Sequence, residues 1–182
     1  ETVLRQSEEF NRIYQEILDR LSEAHIRLIN ETQLTSDQEQ YVRTYFHEEV
    51  RPTLIPIMIE NVRQFPTLKD HAIYLAVRMT KPEGKIKSRH ALIEVPSDIL
   101  PRFLVLPKSG DEVCIILLDD IIRHGLGDIF SIFSYKTFEA YTIKLTRDAE
   151  FDLDDDITVS FFDKISKGVK QRKRGTPVRF IY

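Results

Sequence analysis

The chain has 182 residues, of which 42% are hydrophobic, so it can bury a core of the size that one domain needs. Its 26 basic and 29 acidic residues give a net charge of −3, which excludes a global field that would attract nucleic acid or anionic lipid. No apolar run reaches the ~20 residues of a membrane span, and residues 1–5 lack the pattern of a signal peptide. The one cysteine, Cys114, lies in an apolar run, which predicts a small core residue and a reducing, cytoplasmic setting.

Residues 1–50 predict a helical hairpin. Apolar residues recur at spacings of three and four, which predicts an amphipathic helix of about seven turns; they are Phe10, Ile13, Ile17, Leu21, Ala24 and Leu28. Thr35 and Gln38 have the spacing of a capping box, so a second helix begins there and must end before Pro52. Because two helices bury only one face of each other, we expect a neighbouring domain or a partner chain to cover the first helix's stripe.

From residue 51 the pattern changes to that of strands. The run 54–59 is interrupted by Pro56, which places it at a strand start or a sheet edge. Alternation and short apolar runs predict strands at 73–79, 90–95, 103–106, 113–117, 137–146 and 178–182. A turn is expected at 81–85, and helices are expected from Asp119 and over 155–172. Without a βαβ rhythm, the elements favour an α+β fold: one domain, 1–182, with a mixed sheet in a body at 51–182 after the hairpin at 1–50.

The strand predicted at 137–146 runs into a group of charges, Thr146-Arg147-Asp148-Ala149-Glu150. Other distinctive segments occur in a fixed order along the chain: Arg51-Pro52-Thr53-Leu54-Ile55-Pro56, Tyr74-Leu75-Ala76-Val77, Pro101-Arg102-Phe103-Leu104-Val105-Leu106-Pro107, Ile116-Leu117-Leu118-Asp119-Asp120 and Pro177-Val178-Arg179-Phe180-Ile181-Tyr182. Together they resemble the bacterial polyphosphate kinases that work through a phosphohistidine. The resemblance covers nearly the whole chain.

This resemblance implies that the chain is the head, or middle, domain of an enzyme that reversibly transfers the terminal phosphate of ATP to polyphosphate. In the family the phosphorylated histidine, the magnesium ligands and most nucleotide contacts lie in later domains. We therefore expect no catalytic, cofactor-binding or metal-ligating residue here, with magnesium and ATP bound elsewhere in the parent enzyme. The segment alone should be inactive. Its implied partners are polyphosphate, the remaining domains and a second subunit in a homodimer, and its implied roles are dimerisation and shaping of the substrate path.

The residues themselves agree with the lack of an active site. The five histidines are scattered without the paired spacing of a zinc site, and no P-loop is present. Gly125-Leu126-Gly127 is interpreted as a loop or a helix C-cap. The acidic run 152–156 lacks the Gly and Glu that an EF-hand needs at positions 6 and 12, so it is interpreted as the N-terminus of the helix that follows.

Positive charge is concentrated near the end of the chain. Residues 164–182 contain seven basic residues and no acidic one. The candidate polyphosphate contacts are Arg147, Lys164, Lys167, Lys170 and Arg174, because a guanidinium or a row of ammonium groups suits phosphate oxygens. Each is also explained as an ion pair or a solvated helix face, and both interpretations stay open at this stage.

A second function class is an interaction module that binds nucleic acid or another polyanion through the basic stripe at 164–174. No RRM, KH or helix-turn-helix pattern supports it, and Phe161 and Phe162 have the positions of core residues and not of a stacking platform. We therefore expect no nucleic-acid partner.

Overall fold

The structure, a computed structural model, describes residues 2–61, 66–81, 88–108, 110–133, 135–147 and 177–181. The helices are α1 (Thr2–Glu23), α2 (Ser36–Tyr45), α3 (Leu118–His124) and α4 (Leu126–Ile129). The strands are β1 (Ile26–Ile29), β2 (Ile57–Met58), β3 (Ile73–Thr80), β4 (Arg89–Glu94), β5 (Phe103–Val105), β6 (Val113–Leu117), β7 (Thr137–Arg147) and β8 (Pro177–Ile181). No helix in these ranges is both long and apolar enough to cross a membrane.

The chain divides into two compact units. Unit 1 combines Glu1–Leu54 with Pro96–Ile132, and unit 2 combines Ile55–Val95 with Phe133–Tyr182. The α+β class predicted from the sequence is confirmed, but the strands form two sheets where one mixed sheet was expected. The reason is that residues 96–132 return to unit 1, where β6 pairs with β1.

Unit 1 contains a three-stranded mixed sheet in the order β1-β6-β5. β1 runs parallel to β6, and β5 runs antiparallel to it. One face of this sheet packs into a core with α2, α3 and α4, where Cys114 is buried as the sequence predicted. The other buried apolar residues of unit 1 are Ile29, Val42, Phe46, Val50, Leu106, Ile116, Leu118, Ile121, Ile122, Leu126 and Phe130.

The two helices expected in residues 1–50 are present, but they do not follow each other directly, because β1 lies between them. Leu28 fits the helical spacing of the residues before it, so the sequence pattern extended the first helix too far. The helix ends because His25 adopts a left-handed conformation with φ of 58°. The hairpin of residues 1–50 is therefore corrected to a helix, a strand and a helix.

The start of α2 has the capping box that the sequence predicted. The Thr35 hydroxyl accepts a hydrogen bond from the backbone N–H of Gln38, and the Gln38 side chain accepts one from the backbone N–H of Thr35. The Gln38 amide also donates to the carbonyl of Pro107 at 3.2 Å. This glutamine is only 2% exposed. Its hydrogen bonds supply partners for its buried polar atoms. They also connect α2 to the residues that follow β5. A π-helical turn, Phe46–Val50, follows α2, and a 3₁₀ turn, Arg51–Thr53, contains Pro52.

Unit 2 contains a five-stranded antiparallel sheet in the order β2-β4-β3-β7-β8. The predicted strands are confirmed, and β2 lies at the sheet edge as Pro56 indicated. Both faces bury apolar residues: one carries Leu75, Val77, Met79, Ala91 and Ile93, and the other carries Tyr74, Leu92 and Ile143, which pack with Leu68. The turn predicted at 81–85 falls mostly outside the described residues, and the helix predicted at 155–172 falls entirely outside them.

A buried charge network connects β5 with α3 in unit 1. The Arg102 guanidinium, which directly precedes β5, lies 2.7 Å from a carboxylate oxygen of Asp119 in the first turn of α3. Arg123, one turn along α3, pairs with Asp120 and lies 3.8 Å from Asp119. All four side chains are largely removed from water, so the loss of either arginine leaves a buried carboxylate uncompensated.

Asp120 is a member of this network whose ionised form is disfavoured by its surroundings. Its pKa is raised to about 6, mainly by burial and also by the negative charges of Asp119 and Glu31, while Arg123 opposes the shift. A carboxyl group whose pKa is higher in the folded than in the unfolded state binds more protons when folded. The free energy of unfolding therefore falls as the pH rises from about 4 to about 6.

We predict that Asp120→Asn stabilises the protein above pH 6, because asparagine avoids the buried negative charge and keeps an oxygen acceptor for Arg123. The gain should be about 1–2 kcal/mol at pH 7 and should vanish below pH 4, where aspartate is protonated in both states. Urea unfolding of both proteins between pH 4 and pH 8 measures the difference. Asp111→Asn, which removes the same charge at an exposed position, should show no comparable gain. A stability difference that does not vary with pH would contradict the prediction.

Gly125 is the C-cap of α3, as the glycine pattern predicted, but its φ of −85° is not left-handed. Its role is spatial, since a Cβ atom at this position would overlap the ring carbons of the buried Phe46. The ring of Phe46, at the start of the π-helical turn, therefore packs directly on the backbone between α3 and α4.

We predict that Gly125→Ala destabilises unit 1 by about 1–3 kcal/mol, because the added methyl group forces the aromatic ring out of a packed core. Gly127→Ala is the matched control: nothing lies within 4 Å of its Cβ position, so stability should stay the same or rise slightly. Chemical denaturation measures both variants. If overlap is the cause, Phe46→Leu combined with Gly125→Ala should cost less than the two single changes added together. Strict additivity would contradict this explanation.

Candidate functional site

The strand β7 ends at Arg147, so this residue lies at a strand end, as predicted. Its antiparallel partner is β8, where Thr146 is paired with Arg179 and Arg147 with Pro177. The register shifts between these two pairs, which identifies a β-bulge at this point. Bulges are common beside functional sites because they bend a strand and redirect its side chains. The backbone thus brings Thr146 and Arg147 next to residues 177–179, and these positions belong to two of the segments that carry the family resemblance.

The other candidate polyphosphate contacts are not placed by the structure. Lys164, Lys167, Lys170 and Arg174 lie outside the described residues, as does the acidic run 152–156. The basic stripe and the helix N-terminus assigned to these segments therefore stay predictions. For Arg147 the structure gives the backbone position and the strand pairing alone.

Two other distinctive segments meet in the charge network of unit 1. Arg102 comes from the segment 101–107, and Asp119 comes from the segment 116–120. Sequence reasoning missed this pair, although a signal was present: an arginine directly precedes one short apolar strand, and an aspartate follows shortly after another. The geometry assigns these two residues a structural role, because each satisfies the other's charge inside the unit.

A polar cluster surrounds the entry to β3 in unit 2. The Lys69 ammonium group lies 2.7 Å from Glu94, and the backbone N–H of Lys69 donates to the Tyr74 hydroxyl at 2.9 Å. Burial raises the pKa of Tyr74. Next to this cluster, His71 adopts a left-handed conformation with φ of 61°, and its ring lies 3.3 Å from Asp70. The cluster anchors the turn before β3, which explains the position of His71 at a strand entry.

Three of the five histidines pair with a single carboxylate each. His47 lies 3.0 Å from Asp128, His71 lies beside Asp70, and His90 lies 3.2 Å from Glu60. At Glu60, burial raises the pKa, but hydrogen bonds from the backbone and from His90 outweigh it and hold the pKa below its usual value. No group of three or more metal-ligating side chains occurs within the part of the chain that the structure describes.

The helix α1 of unit 1 exposes a stripe of apolar side chains. We call it the α1 stripe, and its members are Phe10, Ile13, Tyr14 and Ile17, which are 43–67% exposed. The rings of Phe10 and Tyr14 stack with their centroids 6.1 Å apart. Along the helix, ion pairs connect Glu9, Arg12, Glu16 and Arg20 in series. The expectation that this helix exposes an apolar stripe is confirmed for Phe10 and Ile17, whereas Leu21 is half-buried and Leu28 belongs to β1.

Comparison with known proteins identifies relatives of one kind. Residues 37–182 match the family described as the polyphosphate kinase middle domain. The polyphosphate kinase of Vibrio cholerae is 42% identical over 185 residues, and that of Escherichia coli K12 is 40% identical over 186 residues. These alignments cover 98% and 99% of this chain.

The solved structure of the polyphosphate kinase from Porphyromonas gingivalis matches with a TM-score of 0.71 and 35% sequence identity. It covers 79% of this chain and 24% of the solved one. The chain likewise spans 26% of the length of the curated relatives that it matches. Family match, sequence identity and fold agree, so this chain belongs to the polyphosphate kinase family and corresponds to its middle domain.

Proposed function

We propose that the chain serves as the middle domain of a longer cytoplasmic enzyme that reversibly transfers the terminal phosphate of ATP to polyphosphate. Its tasks in that enzyme are to hold two subunits together and to shape the path of the polymer. The observation that carries the proposal is the match to a middle domain over residues 37–182, in a chain that spans 26% of its relatives.

The chemistry of phosphoryl transfer supports this division of tasks. The reaction needs a nucleophile, magnesium and positive charge around the moving group. In the proposed enzyme, ATP and magnesium bind to other domains. His47, His71 and His90 each lie beside one carboxylate, in an arrangement that a structural ion pair explains. The middle domain then contributes positive charge along the polymer and not the reacting groups.

The proposed polyphosphate contacts are Arg147 and the basic stripe, which we define as Lys164, Lys167, Lys170 and Arg174. Support for Arg147 comes from its position at the end of β7, beside a bulge, and from its place in the segment 146–150, which contributes to the family resemblance. Support for the stripe comes from the seven basic residues and no acidic one in residues 164–182. A flexible polyanion needs repeated positive charge more than a shaped pocket, and such binding depends strongly on salt.

We predict that the chain binds polyphosphate at low salt and that Lys164→Glu combined with Lys167→Glu weakens this binding at least fivefold. The change replaces two attractive charges by two repulsive ones, so the salt dependence should also become shallower. Titration of polyphosphate from low to near-physiological salt measures both effects.

The matched control for this titration is Lys108→Glu combined with Lys136→Glu, which gives the same change of net charge at two exposed positions elsewhere. This control should reduce affinity only slightly. Equal losses in both double variants would show that binding follows net charge and not the stripe. A preference for one oligonucleotide sequence over polyphosphate would instead favour the nucleic-acid alternative.

We propose the α1 stripe as part of the homodimer contact. Four large apolar side chains exposed on one helix are unusual for an isolated surface, and such patches mark interaction sites. Glu9, Arg12, Glu16 and Arg20 form ion pairs with one another along the helix. The stripe can therefore bind an apolar surface without leaving these four charges unpaired.

We predict that Ile17→Asp weakens self-association of the chain at least tenfold, because it places a charge in the centre of the α1 stripe. The fold should be unaffected, since Ile17 is 49% exposed. Gln15→Glu adds the same charge on the polar side of the same helix and should leave association unchanged. Sedimentation over a range of concentrations measures both. A chain that stays monomeric at millimolar concentration would contradict the prediction.

A further inference from the structure

We propose that the outer edge of β5 is a docking site for an extended segment of the parent polypeptide, which adds a fourth strand to the sheet of unit 1. Within the ranges that the structure describes, the strand order β1-β6-β5 leaves this edge of β5 without a partner strand.

The register shows which backbone groups face outward. Leu106 donates to the carbonyl of Cys114, and Leu118 donates to the carbonyl of Arg102. Hydrogen-bonded positions alternate in an antiparallel pair, so Leu104 is the position between them that bonds to β6. The N–H and C=O groups of Phe103 and Val105 therefore point away from β6, toward the open edge.

The side chains next to this edge form an apolar surface. Phe103 and Val105 lie on the same face of the sheet and are each 58% exposed. Across the sheet, the strand pairing places further apolar residues on this face, none of which is fully buried: Leu117, Ile115, Val113, Leu28 and Ile26. An exposed edge beside an apolar face is the arrangement that recruits an added strand.

Both ends of the short strand are held in place, so the edge is preorganised. Before β5, the guanidinium of Arg102 pairs with Asp119 and its carbonyl accepts from Leu118. After β5, the carbonyl of Pro107 accepts from the buried amide of Gln38. A rigid edge lowers the entropy cost of strand addition. Pro101 and Pro107 have no N–H to donate, which limits the added pairing to about the length of β5.

The size of the edge decides between possible occupants. Three residues of strand pairing bury far less than the ~1,200 Å² of a stable complex between separate molecules. A segment of the same polypeptide avoids this limit, because its effective concentration can reach the millimolar range. The relatives are about four times as long as this chain, so most of the parent polypeptide is available to supply the segment. The occupant that we infer is an extended segment outside these 182 residues, with apolar side chains for the face of Phe103 and Val105.

Hydrogen exchange tests the proposal. In the full-length enzyme, the amides of Phe103 and Val105 should exchange at least tenfold more slowly than in the 182-residue chain. The amide of Leu106, which bonds within the sheet, should be protected in both. Val105→Pro removes one outward N–H and should return the amide of Phe103 to the rate of the shorter chain, while Leu106 stays protected. Leu104→Pro, which removes an N–H inside the sheet, should instead expose Leu106.

Three results would overturn the proposal. Equal exchange of Phe103 and Val105 in both proteins would show that the edge stays open in the enzyme. Strong protection in the 182-residue chain at every concentration would place the occupant within this chain. Protection that grows with the concentration of the shorter chain would assign the edge to a second copy. The comparison of the two unmodified proteins is sufficient by itself if the proline variants do not fold. It is also independent of polyphosphate binding, so the two proposals fail separately.

Discussion

The buried pairing of Arg102 with Asp119 is the constraint on which unit 1 depends. Two adjacent carboxylates, Asp119 and Asp120, begin α3 inside the unit, where their mutual repulsion must be balanced by Arg102 and Arg123. Such a network adds little net stability compared with an apolar core, but the loss of Arg102 or of Arg123 would leave a buried carboxylate unpaired and is costly. Its main effect is positional, because the close approach of Arg102 and Asp119, at 2.7 Å, joins the start of β5 to the first turn of α3. A strand of three residues could not hold this position by its own ladder.

The same constraint connects the fold to the proposed role of the domain. A domain that supplies no reacting group contributes to catalysis by holding other parts in place, and precise placement needs rigid elements. In unit 1 the charge network fixes one end of β5, and the Gln38 amide fixes the other. These contacts restrict the backbone at both ends of β5, which suits the docking edge that we propose. The α1 stripe belongs to the same unit, so unit 1 carries both of the surfaces to which we assign assembly.

Much of the fold could be predicted from the sequence because local patterns determine it. Period-two alternation located β3, β4 and β7, and the Thr35 and Gln38 spacing located the start of α2. β1 was missed since Leu28 fits a helical spacing equally well. The division into two sheets was missed because the pairing of β1 with β6 joins residues that are far apart in sequence. The site shows the same contrast: the strand-end position of Arg147 followed from local sequence, whereas the bulge and the Arg102–Asp119 pair depend on tertiary contacts.

The distribution of charge gives a physical reason why a polyanion would follow one part of this domain. Residues 1–163 contain all 29 acidic residues and 19 of the 26 basic ones, so this part carries a negative net charge. Residues 164–182 contain the other seven basic residues and no acidic one. At physiological salt the Debye length is about 8 Å, so a polymer responds to the charges in its immediate surroundings and not to the net charge of −3. In the function that we propose, the excess of acidic residues in 1–163 disfavours contact of the polymer with that part, and it therefore adds to the attraction by the basic residues of 164–182.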